Sequence, residues 1–107
     1  MQEQKNIFDD IPTSLPEEII EVLANKGSVR IERIISKGHA SPEGFWYNQK
    51  EDELVLLLSG SAELLFADED RVVELLPGDY ILIPSHQRHR VMATDPDEES
   101  VWLAIYF

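Results

Sequence analysis

Glu53-Leu54-Val55-Leu56-Leu57-Leu58-Ser59-Gly60 is followed at a distance by Gly78-Asp79-Tyr80-Ile81-Leu82-Ile83-Pro84-Ser85-His86-Gln87-Arg88-His89. The first stretch sets a carboxylate directly before Leu54–Leu58, an unbroken apolar run. That run is far too short to cross a bilayer, so it reads as a buried strand. A carboxylate facing the same interior is costly unless a cation or a hydrogen-bond donor satisfies it. The second stretch ends in an imidazole, a natural partner for such a group.

Outward from these two stretches, short strand-like runs follow one another closely. Val29, Ile31, Arg33 and Ile35 alternate with Arg30, Glu32 and Ile34, which places them on opposite faces of a strand. Further runs are Phe45–Gln49, Glu53–Leu58, Ser61–Phe66, Arg71–Leu76, Tyr80–Pro84, His89–Thr94 and Val101–Phe107. Lys37–Gly44 carries the glycine and proline punctuation of a loop. Ser59-Gly60 suits a tight hairpin. Leu76-Pro77-Gly78-Asp79 suits a type II turn, and Asp95-Pro96-Asp97 is another turn. Eight strands without intervening helices predict an all-β, closed or double-sheet architecture.

Residues 1–27 read differently from the barrel expected over 28–107. Residues 1–13 form a polar arm. Ser14-Leu15-Pro16-Glu17 matches a capping box, Ile19, Ile20 and Leu23 follow at helical spacing, and Gly27 suits a helix end. A short helix over about residues 15–25 is therefore predicted.

Composition narrows the function. The length of 107 residues fits a single domain. Twenty-one acidic against nine basic residues give a net charge of −12. Nucleic acid and anionic membranes both demand a cationic footprint, so neither is an expected partner. Without cysteine there is no disulfide and no thiolate metal site. Met1–Asp10 lacks the apolar core of a signal peptide, which makes a cytoplasmic location the expectation.

The spacing of the two opening stretches resembles the paired motifs of the cupin superfamily. Six residues separate Glu53 from Gly60, as in the first motif, with Tyr47 and Gln49 standing where the family carries two histidines. Gly78, Pro84 and His89 match the second motif. His86 stands in place of its second glycine, and Ala93 where an asparagine is common. The resemblance covers roughly residues 41–93 and implies a small single-domain cupin: a double-stranded β-helix, or jelly-roll barrel. It further implies a divalent metal, a small organic ligand, and an oxygenase- or isomerase-type reaction. Two of the four usual metal ligands are replaced.

The residues themselves suggest a site. Tyr47, Gln49 and Glu53 share a face if the strand register holds between them, and His89 lies on the opposing strand. Gln49, Glu53 and His89 would give an O,O,N donor set suited to iron, manganese, nickel or zinc. A hydrogen-bonded Glu–His pair without metal is the alternative. Tyr47 is a poor ligand at neutral pH and better placed as a hydrogen-bond donor to a bound molecule. His86, a less favoured fourth ligand, falls on the opposite face from His89 in an extended strand. His39 sits in a loop and is expected to be solvated. Arg88 and Arg90 flank His89 and should point away from it. Phe45 and Trp46 suit either a pocket mouth or packing. The last strand is apolar on both faces, which predicts a covered outer surface and a homodimer. A metal-dependent enzyme, a non-catalytic binder and an interaction scaffold all remain open.

Overall fold

The computed structural model describes residues 2–107. Eight strands run in order: β1 (Ile19–Lys26), β2 (Val29–Ser36), β3 (Glu53–Ser59), β4 (Ala62–Phe66), β5 (Arg71–Leu75), β6 (Tyr80–Ile83), β7 (His89–Thr94) and β8 (Ser100–Tyr106). They form two antiparallel sheets, β1-β2-β8-β3-β6 and β5-β4-β7. The jelly-roll architecture expected from the sequence is present.

The core lies between the sheets, and strand parity explains its membership. Val55 and Leu57 of β3, Leu64 and Phe66 of β4, and Trp102 and Ala104 of β8 all point inward and are buried. Full burial of each large apolar side chain contributes about 1.5–3 kcal/mol. Their odd or even neighbours face out. Leu54, Leu56, Leu103 and Ile105 occupy paired positions on the outer face of the five-stranded sheet, beside the exposed Tyr80 and Leu82 of edge strand β6.

The predicted N-terminal helix is absent. Ile19–Lys26 instead pairs with β2 from Ile19↔Ile35 to Lys26↔Val29. The β-branched Ile19, Ile20 and Val22 favour a pleated surface. Gly27, at φ +60°, closes a two-residue hairpin in the conformation that a type II′ turn needs first. Tertiary pairing thus overrides the capping box. The arm before it packs on its own barrel. Buried Arg33 donates through Nη1 to the carbonyls of Ile7 (2.9 Å) and Asp9 (2.6 Å), and through Nη2 to Glu21 (2.7 Å).

Two other local expectations are corrected. Phe45–Gln49 is not a strand: only Tyr47 bridges, to His89. Ser59-Gly60 is not a hairpin, because β3 and β4 belong to different sheets and the chain crosses between them there. The type II turn at Pro77-Gly78 stands, with Gly78 at φ +94° and the Asp79 amide donating to the Leu76 carbonyl at 2.9 Å. Among the described residues, no helix is long and apolar enough to cross a membrane.

Candidate functional site

Glu53 opens β3 and His89 opens β7, so the site joins the two sheets at one end of the barrel. Both side chains are buried, and His89 Nε2 lies 3.5 Å from Glu53 Oε1. The other imidazole nitrogen settles the tautomer. Nδ1 stands 3.0 Å from the carbonyl oxygen of Gln87, which can only accept, so Nδ1 carries the proton. Nε2 is thereby turned toward the Glu53 carboxylate.

Backbone pairing holds the neighbouring loop in place. Tyr47 and His89 exchange amide–carbonyl bonds of 2.7 and 3.2 Å, and the His86 amide donates to the Gln49 carbonyl at 2.6 Å. The Tyr47 ring consequently stacks on the His89 imidazole, with centroids 5.3 Å apart. Gln49 Nε2 donates to Glu53 Oε1 across a long 3.4 Å. Phe66 packs behind His89, its ring centroid 6.1 Å away.

Tyr47, Gln49, Glu53 and His89 wall a cavity of about 90 Å³, lined also by Glu18, Ile34, Ser36, Trp102 and Tyr106. Pockets for drug-sized ligands run to roughly 300–1,000 Å³, so this one suits a compact molecule. The Trp102 indole N–H is satisfied by Ser36 Oγ at 3.2 Å. Burial, with the nearby Glu18 and Glu53 charges adding, raises the Tyr47 phenol above its ordinary range. Burial also raises Tyr106 strongly, reinforced by Glu53 and Glu32. Both phenols remain protonated donors at neutral pH.

Gln49, Glu53, His89 and Tyr47 are thus brought together, as their spacing suggests. His86 is not. It is exposed, does not line the cavity, and its Nδ1 lies 2.9 Å from Asn48 Oδ1. Its φ of +61° is a left-handed conformation at the place where the resembling motif carries glycine. His39 is half-buried in its loop and accepts from the Lys37 amide through Nδ1 at 2.9 Å. Arg88 faces Asp68 at 3.5 Å, whereas Arg90 donates to the Ser41 carbonyl and lies over Trp46. Sequence reasoning missed Tyr106 and Glu18. Tyr106 shares parity with the inward Trp102, but only its pairing with Glu53 puts it in the site. Glu18 was hidden in the misread helix.

Among the described residues, no group of three or more His, Cys, Asp or Glu side chains could hold a metal ion. Glu53 and His89 are two sound donors. Gln49 adds a weak one, and its amide nitrogen rather than its oxygen faces Glu53. This set falls short of a tightly held divalent ion.

The two-sheet jelly-roll defines a class, and comparison with known proteins agrees. The cupin-domain family model matches residues 32–106, and the chain belongs to that family. A crystal structure from Ralstonia eutropha JMP134, provisionally described as a mannose-6-phosphate isomerase, superposes with a TM-score of 0.94 at 43% identity. That match covers 98% of this chain and 97% of that one. The polyketide cyclase RemF from Streptomyces resistomycificus shares the fold at a TM-score of 0.75 and 20% identity, over 99% of this chain and 79% of its own. L-ectoine synthase from Rhodococcus opacus (strain B4) is 39% identical over 54 residues, half of this chain and 39% of that enzyme. The chain thus spans well under half the length of that curated relative.

Proposed function

We propose that the cavity takes up a small organic ligand and that Glu53 and His89 move a proton on it, an isomerase-type reaction. The observation that supports this reading is the imidazole whose Nδ1 is held by the Gln87 carbonyl, so that Nε2 faces a buried carboxylate 3.5 Å away. His89 serves as the base and Glu53 stabilises the imidazolium that forms. Tyr47 and Tyr106, both neutral, donate hydrogen bonds to the oxygen or nitrogen on which charge develops. The cavity's apolar walls, Ile34, Val55, Leu64 and Trp102, exclude water from the transfer.

A loosely held divalent ion (iron, manganese, nickel or zinc) is the second reading, favoured by Gln49, Glu53 and His89 all lining one cavity. Such an ion would supply Lewis-acid polarisation of the ligand. One experiment separates the two. Small carbonyl compounds and amines are incubated with chelator-treated protein in D₂O, and deuterium incorporation is followed by NMR. Exchange is expected to survive chelation and to fall at least ~100-fold in His89→Ala and Glu53→Gln, the usual scale for removing a general base. Exchange that vanishes with the chelator and returns with added metal would transfer the role to the ion. No exchange by the wild-type protein would end both readings.

We also propose that the chain pairs with a second copy through the outer face of the five-stranded sheet. Leu54, Leu56, Leu82, Leu103, Ile105 and Tyr80 form an uncharged patch there, in a chain whose net charge of −12 would repel a copy elsewhere. Sedimentation is expected to show a dimer at micromolar concentration and a monomer for Leu82→Glu, an exposed position in the single chain. A monomeric wild-type protein would refute the pairing.

A further inference from the structure

We propose that the ligand of this cavity is a small organic cation, a protonated amine or amidinium on a compact apolar body. The inference deepens the proton-transfer reading and rests on the same cavity. Glu53 Oε1 and His89 Nε2 lie 3.5 Å apart, both side chains buried and both lining the cavity. The contacts made to Glu53, 3.4 Å from Gln49 and 3.5 Å from His89, exceed the 2.7–3.2 Å of a sound N–H···O bond. A buried carboxylate is therefore underpaired. An ammonium brings three donors and no acceptor, so it can give the carboxylate the short hydrogen bonds that its neighbours do not.

The walls favour the same charge. Tyr47, Trp102 and Tyr106 line the cavity, and aromatic faces attract cations by about 0.5–2 kcal/mol. The exposed Glu18 adds a second carboxylate to the lining, and the chain's charge of −12 draws cations toward it. Tyr106 is 8% exposed and lines the cavity, so its phenol oxygen can meet a ligand N–H there.

An anion fares badly here. Among the described residues, no lysine or arginine lines the cavity. Arg30 stacks on the Tyr106 ring at 4.3 Å, but its charge is already engaged by Glu32 at 2.9 Å and Glu51 at 3.7 Å. Phosphate sites are built from Arg, Lys or clustered backbone amides. A sugar phosphate, the substrate class implied by the provisional description of the Ralstonia relative, would enter this cavity against Glu53 and Glu18 with no such group to meet it.

Three probes of near-equal size separate the charges: cyclopentylammonium, cyclopentanol and cyclopentanecarboxylate, with inorganic phosphate as a fourth. Binding to the chelated wild-type protein is measured by calorimetry and ligand-observed NMR at neutral pH. The ammonium is expected to bind at least ~10-fold more tightly than the alcohol, with the carboxylate and phosphate undetected, since tenfold is the 1.4 kcal/mol of one good charge-assisted contact. Glu53→Gln should erase that advantage, bringing the ammonium and the alcohol to similar affinity. Glu18→Gln, at an exposed position that does not endanger folding, should weaken the ammonium alone by roughly two- to threefold. Carboxylate or phosphate binding as tight as the ammonium, ammonium binding indifferent to both variants, or no binding at all would overturn the proposal. Ammonium binding without any deuterium exchange would leave the cation site standing and remove only the proton-transfer reading.

Discussion

Gly60→Ala is expected to lower the melting temperature by about 20 °C or more, the equivalent of roughly 3–5 kcal/mol in a domain of this size. Gly60 sits at φ +79°, where a side chain strains the backbone by about 1–2 kcal/mol on its own. The added methyl group would also overlap Ser100 Oγ and stand 2.6 Å from the Ser100 Cα. A hydroxyl can rotate away, but a backbone carbon at the start of β8 cannot. Ser100 is fully buried and exchanges hydrogen bonds with Ser61, its Oγ accepting from the amide at 3.2 Å and donating to the carbonyl at 3.1 Å. Pushing it outward would break the crossing that carries the chain from β3 to β4. Gly78→Ala is the control: its φ is +94° but open space surrounds the position, so only the backbone strain should register. Thermal denaturation of both variants checks the contrast. Equal losses at the two glycines would mean that the close approach to Ser100 does not matter.

The second large effect is expected at Phe66, which is 1% exposed and pairs directly with His89 across β4 and β7. Phe66→Ala should cost about 3–5 kcal/mol, the usual result of emptying a close-packed aromatic site. The loss has a functional half as well. With the ring gone, the back of the His89 imidazole faces a void, and the alignment of Nε2 toward Glu53 loses one of its two aromatic supports. Phe66→Leu keeps most of the volume and should cost under about 1.5 kcal/mol. Urea denaturation gives the stability, and the ¹⁵N shifts of His89 report whether its tautomer and environment survive. A Phe66→Ala variant with near-native stability would show that the sheets are not packed through this ring.

Most of the barrel was legible because strands announce themselves locally. β2 to β8 lie within a residue or so of the runs read from the sequence, since a buried face forces a period of two. The misreadings share one cause. Ile19, Ile20 and Leu23 fit a helical stripe, and Val22 fits either pattern, so only β2's unpaired edge decided for a strand. Phe45–Gln49 has strand-like composition but finds a single bridge, at Tyr47. Ser59-Gly60 looks like a hairpin because a glycine with positive φ serves a sheet-to-sheet crossing equally well. Each choice depended on a partner distant in the chain.

What the amino-acid order determined by itself was the strand pattern, the glycine and proline turns, the acidic charge and the pairing of Glu53 with His89 through motif spacing. These depend on side-chain alternation and backbone preference, which act over a few residues. Only the tertiary structure decided that β1 is a strand, that Arg33 pins the arm, and that Tyr106 and Glu18 join the cavity. Those outcomes turn on register and on which backbone carbonyl or carboxylate lies within about 3 Å of a given atom, and such distances exist only once the sheets have met.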